Sequence, residues 1–196
     1  MRILISIFIS YIALYSVIYL HEVGHALFYY IYGCKKKWYQ VTVKPYLFFS
    51  TPLPIDTDKA KLLSKSQNIF IASAGVMVNL LFAIISFLIL YKLNSNYYIE
   101  LFLYQFSTLH LGEAISYLVV GNIYLVSDMK TIAMLNPNLR LFGFIIGLLA
   151  LLMYVFILIR IPDEYKLIVI LFNIITISFM CIGRIVFTYL LKKDRA

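Results

Sequence analysis

Long apolar runs with few polar interruptions dominate the chain. They lie at about residues 3–32, 69–91, 97–127, 139–159 and 167–191. Each run reaches the roughly 20 residues that an α-helix needs to cross the hydrocarbon core of a bilayer. Because the runs are continuous, they favour helices over a membrane β-barrel, whose strands alternate apolar and polar residues. The pattern predicts an all-α polytopic membrane protein with about five transmembrane helices.

One stretch, at about residues 38–55, has a different pattern. It is rich in aromatic and β-branched residues and ends at Pro52 and Pro54, which favours one or two short membrane-associated strands over a helix. The alternative is an interfacial loop held by its aromatic side chains. Since a strand at membrane depth needs protein or water to satisfy its edge, we expect this β segment to lie against a polar site. After it, Asp56 is placed to cap a short lysine-bearing helix.

Composition supports the membrane assignment. Of the 196 residues, 63% are hydrophobic and only 13% are charged, and the mean hydropathy is +0.90. These values lie far outside those of soluble domains. The spans are too closely spaced for a separate soluble domain, so residues 1–196 are predicted to form a single membrane domain.

The net charge of +8 indicates membrane topology and not nucleic-acid binding. Most lysines cluster in the first loop, at residues 35–65, and in the tail after residue 191. Positive charge collects in cytoplasmic loops, so the N-terminus is predicted outside and the C-terminus in the cytoplasm. The same lysines would contact anionic lipid at the cytoplasmic face. The two cysteines, Cys34 and Cys181, stand in such different contexts that no disulfide is expected.

A candidate metal-binding motif lies near the end of the first apolar run, at His21-Glu22-Val23-Gly24-His25. Residues four apart lie on one helix face, so the two histidines can bind one metal ion. Glu22 lies beside that ion, where a carboxylate can take a proton from an activated water molecule. The alternative is two unrelated histidines at a membrane interface, which the cost of ionisable residues in an apolar segment disfavours.

A catalytic zinc ion usually has three protein ligands, and the candidates for the third are His110, Glu113 and Asp128. In an unbroken helix His110 would lie about 27 Å from Asp128. Only Asp128 would then reach the membrane depth of the two histidines, so we expect it to be the third ligand. We expect His110 and Glu113 to bond each other or another helix. Arg184, near the end of the fifth run, can extend to the interface or pair with an acid.

Two asparagines complete the set of candidate site residues. Asn79 follows the small residues 72–75; this is typical of a packing face with one interhelical hydrogen bond. Beside a metal site, Asn79 and less clearly Asn122 could instead steady a substrate carbonyl or an oxyanion. Asn122 and the preceding glycine interrupt the third run shortly before Asp128, which predicts that the helix loosens there.

The motifs at residues 21–25, 74–79 and 122–128 together resemble those of the site-2 protease family, the M50 intramembrane zinc metalloproteases. The family's second motif often has proline where Val76 stands, and its third usually contains a proline and a glycine that this chain lacks. The resemblance implies a three-helix catalytic core within residues 1–130, two additional helices at residues 139–191, and one zinc ion per chain. It also implies that the β segment pairs with an unwound substrate.

The function expected from this resemblance is hydrolysis of a peptide bond in a membrane-anchored protein or peptide, near the cytoplasmic leaflet. His21, His25 and Asp128 would hold zinc, and Glu22 would be the catalytic residue. The alternative is a non-catalytic accessory or immunity-type membrane protein that retains a structural zinc site. A metal transporter would need polar residues along several spans, and the fourth and fifth have few. The richness in Ile, Lys, Asn, Tyr and Phe hints at a bacterial source.

Overall fold

The computed structural model describes residues 2–45, 50–92 and 96–193, with side chains up to Val186. The chain is almost wholly helical in these ranges. In order, its helices are α1 (Arg2–Ile31), α2 (Thr57–Lys61), α3 (Lys65–Lys92), α4 (Tyr97–Ile115), a π-helical turn (Ser116–Gly121), α5 (Asn122–Tyr124), α6 (Ser127–Leu135), α7 (Leu139–Arg160) and α8 (Asp163–Lys193).

Helices α1, α3, α7 and α8 are each long and apolar enough to cross a membrane. The bent run from α4 to α6 brings the number of candidate spans to as many as five. The prediction of an all-α polytopic membrane protein with about five spans is confirmed. By this architecture the chain is a multi-pass membrane protein.

Helices α1, α3 and α4 pack against one another, and α7 and α8 pack against α4. Small residues permit this close approach. A Cβ atom at Gly24 of α1 would lie only 2.8 Å from the backbone oxygen of Ala74 in α3. The three helices form one packed core, whereas its catalytic role and the division of the chain at residues 130–139 stay predictions.

Helix α1 ends where the sequence predicts, before the lysine cluster. Gly33 has a positive φ of 74°, a conformation that glycine adopts without strain. The N–H of Cys34 donates to the Tyr29 oxygen at 2.8 Å, and that of Gly33 donates to the Tyr30 oxygen at 3.0 Å. These two bonds form a Schellman motif, which satisfies carbonyls at the helix end.

The segment at residues 38–55 is less regular than predicted. Its described residues contain no sheet and one antiparallel pair, in which Thr42 and Thr51 exchange backbone hydrogen bonds of 2.9 and 3.0 Å. Residues 46–49, part of the predicted strands, lie outside the described residues. The buried amine of Lys35 donates to the carbonyl oxygens of Pro52 and Pro54, each at 2.7 Å, and burial lowers the pKa of this amine.

Beyond this segment, Asp56 caps α2 as predicted. Its side chain accepts a hydrogen bond from the Lys59 N–H at 3.2 Å. This satisfies one of the free donors at the start of the helix.

The third span is broken, and the break changes its geometry. After the π-helical turn, Leu125 and Ser127 have positive φ values of 51° and 55°. The helix axis bends by 57° between the stretches Tyr97–Tyr124 and Ser127–Leu135. The predicted loosening beside Asn122 is therefore present. The assumption of an unbroken helix, from which the depths of His110 and Asp128 were derived, is wrong.

Candidate metal centre

Two core elements bring the predicted ligands together. On α1, His21 and His25 lie one turn apart and are 2% and 6% exposed, and their Nε2 atoms are 3.1 Å apart. Asp128, in the first turn of α6, places Oδ2 at 3.5 Å from Nε2 of His21 and at 3.4 Å from Nε2 of His25. The three side chains form a group that could hold a metal ion.

Apolar packing places Asp128. The next residue, Met129, is buried together with Ile132 against Tyr117 and Leu118 of the π-helical turn. Val76 of α3 belongs to the same cluster. Because one face of α6 is buried in this cluster, Asp128 is presented from a fixed helix, although a chain break precedes it.

The geometry of the three ligand atoms fits zinc. Ligands about 2.0 to 2.1 Å from a tetrahedral ion lie about 3.3 Å from one another, close to the three separations found here. Oδ2 of Asp128 is buried and has no hydrogen-bond partner among the described residues, as suits an atom that binds a cation. Two imidazoles and a carboxylate are also a ligand set that zinc accepts.

Gly75 of α3 keeps the space beside the histidine nitrogens clear. A Cβ atom at this position would lie 2.6 Å from Nε2 of both His21 and His25. A side chain here would fill the space at the metal centre. From the sequence, this glycine is expected only to permit close helix packing.

Outer partners orient both imidazole rings. Nδ1 of His25 lies 2.6 Å from the backbone oxygen of Ile71, so this nitrogen is suited to donate and leaves Nε2 to the metal. Nδ1 of His21 lies 3.1 Å from Nδ2 of Asn79. Such contacts to the far nitrogen fix the orientation of a metal-binding histidine.

The flat face of His21 stacks on Tyr117, with ring centroids 4.7 Å apart and an angle of 11° between the planes. The guanidinium of Arg184 in α8 lies 3.8 Å from the Tyr117 ring centroid. Arg184 also pairs with Glu113 at 2.5 Å and donates to the hydroxyl of Ser116. Arg184 therefore pairs with an acid and does not extend to the interface. Glu113 bonds another helix and not His110.

A cavity of about 310 Å³ opens beside the three ligands. Glu22 lines it with them, and polar side chains of Tyr29, Asn68 and Thr131 contribute to its wall. Ser50 and Pro52 also line the cavity. The segment at residues 38–55 thus lies against the polar site, as its sequence led us to expect.

The two asparagines lie elsewhere. Neither is among the described residues that line the cavity. Asn122 donates to the Arg140 backbone oxygen at 2.7 Å and accepts from Nε of Arg140 at 3.2 Å, beside a separate surface groove. Asn79 lies behind His21. Direct contact of either amide with a substrate carbonyl stays a prediction, and these bonds do not favour it.

His110 is much closer to the metal centre than its sequence position implied. Its Nδ1 lies 2.9 Å from Oδ1 of Asn79, and Asn79 in turn contacts His21. The expected distance between His110 and Asp128 assumed a straight third helix, whereas the break turns α6 back toward α1. A distance calculated for a straight helix therefore does not exclude His110 as a metal ligand. Its contact with Asn79, however, means that His110 faces a neighbouring helix and not the ligand group.

The fold and the site together define a membrane-embedded helical protein with a candidate His-His-Asp metal centre. The family model of peptidase family M50 matches residues 9–190. The chain belongs to this family, the site-2 protease family. Membership indicates an intramembrane metalloprotease of a family that is in general zinc-dependent. No curated protein matches the chain, and no solved structure matches it.

Proposed function

We propose that this protein is an intramembrane zinc metalloprotease that hydrolyses a peptide bond in a membrane-anchored protein or peptide. The observation that carries the proposal is the cluster of His21, His25 and Asp128 ligand atoms, separated by 3.1 to 3.5 Å. The cluster lies in a cavity that Glu22 also lines. Membership of the M50 family supports the same reaction.

In the proposed mechanism, zinc held by these three residues would polarise the scissile carbonyl and activate a water molecule. Glu22 takes a proton from the attacking water and later delivers it to the nitrogen of the leaving amine. The water oxygen forms a bond to the carbonyl carbon, and the C–N bond breaks, so the products are a carboxylate and an amine. The contacts of His21 and His25 with their outer partners keep the ligand nitrogens aimed at one point.

The segment at residues 38–55 is the proposed substrate-binding element. The isolated bridge between Thr42 and Thr51 supports strand-like pairing of its backbone, and Ser50 and Pro52 line the cavity. A substrate helix hides its carbonyls in its own hydrogen bonds, so it must unwind before cleavage. An unwound substrate could then add to this segment as a strand. We expect substrates with helix-weakening residues near the cut to be cleaved faster than uniformly leucine-rich variants, and equal rates would contradict this mode.

The proposed orientation places the N-terminus outside and the C-terminus in the cytoplasm, with cleavage near the cytoplasmic leaflet. Its support is the charge bias of the loops. The lysines of the first loop include Lys36, Lys37, Lys59 and Lys61, which are exposed. Anionic lipid headgroups at the cytoplasmic face are their proposed partners.

The test is the Glu22→Gln variant. We expect it to bind zinc like the native chain but to cleave no substrate, because an amide cannot shuttle the proton. Membrane peptides would be compared between cells with the native chain and cells with the variant, and zinc would be measured on the purified proteins. Glu164→Gln, at the start of α8, makes the same chemical change far along the chain and serves as the matched control.

Two results would count against the proposal. Cleavage by the Glu22→Gln variant would refute the role of this carboxylate. Stoichiometric zinc in a native chain that produces no glutamate-dependent change in membrane peptides would instead support the non-catalytic accessory protein.

A further inference from the structure

Three buried polar side chains form a row behind the candidate metal centre, one from each core helix. Nδ1 of His21 in α1 lies 3.1 Å from Nδ2 of Asn79 in α3, and Oδ1 of Asn79 lies 2.9 Å from Nδ1 of His110 in α4. Asn79 and His110 have no exposed surface. The mechanism above assigns no chemical step to either residue.

Two aromatic rings pack against the imidazole of His110. Its ring stacks on Phe82 and lies edge-on to Phe106, with centroid separations of 5.7 and 4.4 Å. Its Nε2 has no hydrogen-bond partner among the described residues. A buried polar group is costly without hydrogen bonds, and an apolar residue would suit this position. The contact with Asn79 is therefore the interaction that explains an imidazole at this position.

Zinc binding at Nε2 of His21 dictates the direction of each hydrogen bond in the row. Nε2 must then offer a lone pair, so a neutral His21 carries its proton on Nδ1. That N–H needs an acceptor, and among the described residues the side chain in contact with Nδ1 is Asn79, whose Oδ1 can supply it. The amide then turns Nδ2 toward His110, whose Nδ1 must accept, so the His110 proton lies on Nε2.

The amide of Asn79 spans the two imidazoles, with its ends 3.1 Å from Nδ1 of His21 and 2.9 Å from Nδ1 of His110. The oxygen and nitrogen of an amide exchange places by a half-turn about its terminal bond, so Asn79 can accept from Nδ1 of His21 without a movement of any helix. Histidine can be donor or acceptor at Nδ1, so His110 suits this orientation of the amide as well.

We propose that Asn79 and His110 are positioning residues that act as one unit on zinc binding. The Asn79 amide accepts from Nδ1 of the metal-binding His21 and donates to Nδ1 of His110, which holds the amide in the orientation that zinc binding at His21 requires. The inference rests on the proposed zinc site. It gives His110 a function through Asn79 and none in direct contact with substrate or metal.

Zinc affinity is the readout, measured by chelator competition on purified protein in the Glu22→Gln background, so that no proteolysis is needed. We expect Asn79→Leu to weaken zinc binding about 10- to 100-fold, the usual effect of losing an outer partner of a metal ligand. Asn79→Asp should restore binding, because a carboxylate oxygen accepts from Nδ1 of His21 in either rotation. Asn173→Leu is the matched control, since Asn173 is equally buried but bonds to Gln105 and Val169.

A double-mutant comparison tests whether the two residues act together. His110→Leu should weaken zinc binding less than Asn79→Leu, and the double variant should match Asn79→Leu alone. Independent effects would instead multiply. Multiplying effects, or unchanged affinity in Asn79→Leu, would overturn the inference.

NMR of protein with ¹⁵N-labelled histidine reports the proton position directly. The expected result is a neutral His110 with its proton on Nε2 when zinc is bound. A zinc-bound protein with the His110 proton on Nδ1 would overturn the inference. If the Glu22→Gln parent binds no zinc, the zinc site and this inference fail together; if the parent binds zinc but Asn79→Leu binds equally well, only the inference fails.

Discussion

Replacing Gly75 by alanine should damage the metal centre while sparing the fold. The added Cβ would lie 2.6 Å from Nε2 of both His21 and His25, whereas nonbonded heavy atoms normally stay about 3.5 Å apart. The histidines or the backbone of α3 must then move by roughly 0.9 Å. Because α1 and α3 are already in close contact at Gly24, the two helices have little freedom to shift against each other.

A displacement of this size matters because functional side chains must be held to within about 0.5 Å. A misplacement of about 1 Å can cost about 100-fold in rate. We therefore expect Gly75→Ala to lower turnover by about 100-fold or more and to weaken zinc binding. Alanine is the better helix former by about 1 kcal/mol, so the thermal stability of the protein without zinc should fall little.

The assay is zinc affinity by chelator competition together with cleavage of a membrane substrate in liposomes. Gly143→Ala is the matched control, because its Cβ would meet the ends of two side chains and no ligand, with Cε of Met129 at 3.3 Å and Cδ2 of Leu118 at 3.6 Å. Native zinc affinity and turnover in Gly75→Ala would refute the placement of the metal between the two histidines.

Two further predictions concern contacts outside the ligand group. Arg184→Met leaves the Glu113 carboxylate buried without its cation, since the two side chains are 15% and 4% exposed, and should destabilise the protein by about 3–5 kcal/mol. Adding Glu113→Gln should recover much of that loss in unfolding measurements in detergent, and equal stability of the single and double variants would contradict the pairing. Lys35→Met removes the bonds that hold the segment at residues 38–55, so limited proteolysis there should be faster and substrate cleavage slower, with zinc affinity unchanged. The exposed Lys37 provides the control, Lys37→Met, and equal protection of both variants would count against the role of Lys35.

Features that depend on local pattern follow from the sequence alone. Apolar runs long enough to span a bilayer predicted the membrane helices, and the spacing of His21 and His25 predicted one metal-binding face, because residues four apart share a side of a helix. The capping role of Asp56 and the helix end at Gly33 followed from the same local rules.

The way in which distant segments meet depends on tertiary packing. The break after the π-helical turn depends on left-handed backbone at Leu125 and Ser127, conformations that neither residue type predicts. This break brings Asp128 back to the histidines. The separation of His110 and Asp128 therefore cannot be calculated from the rise of a straight helix. The contacts of Asn79 with His110 and of Arg184 with Glu113 join helices far apart in sequence, and side-chain direction across such an interface depends on how the helices pack, which periodicity does not specify.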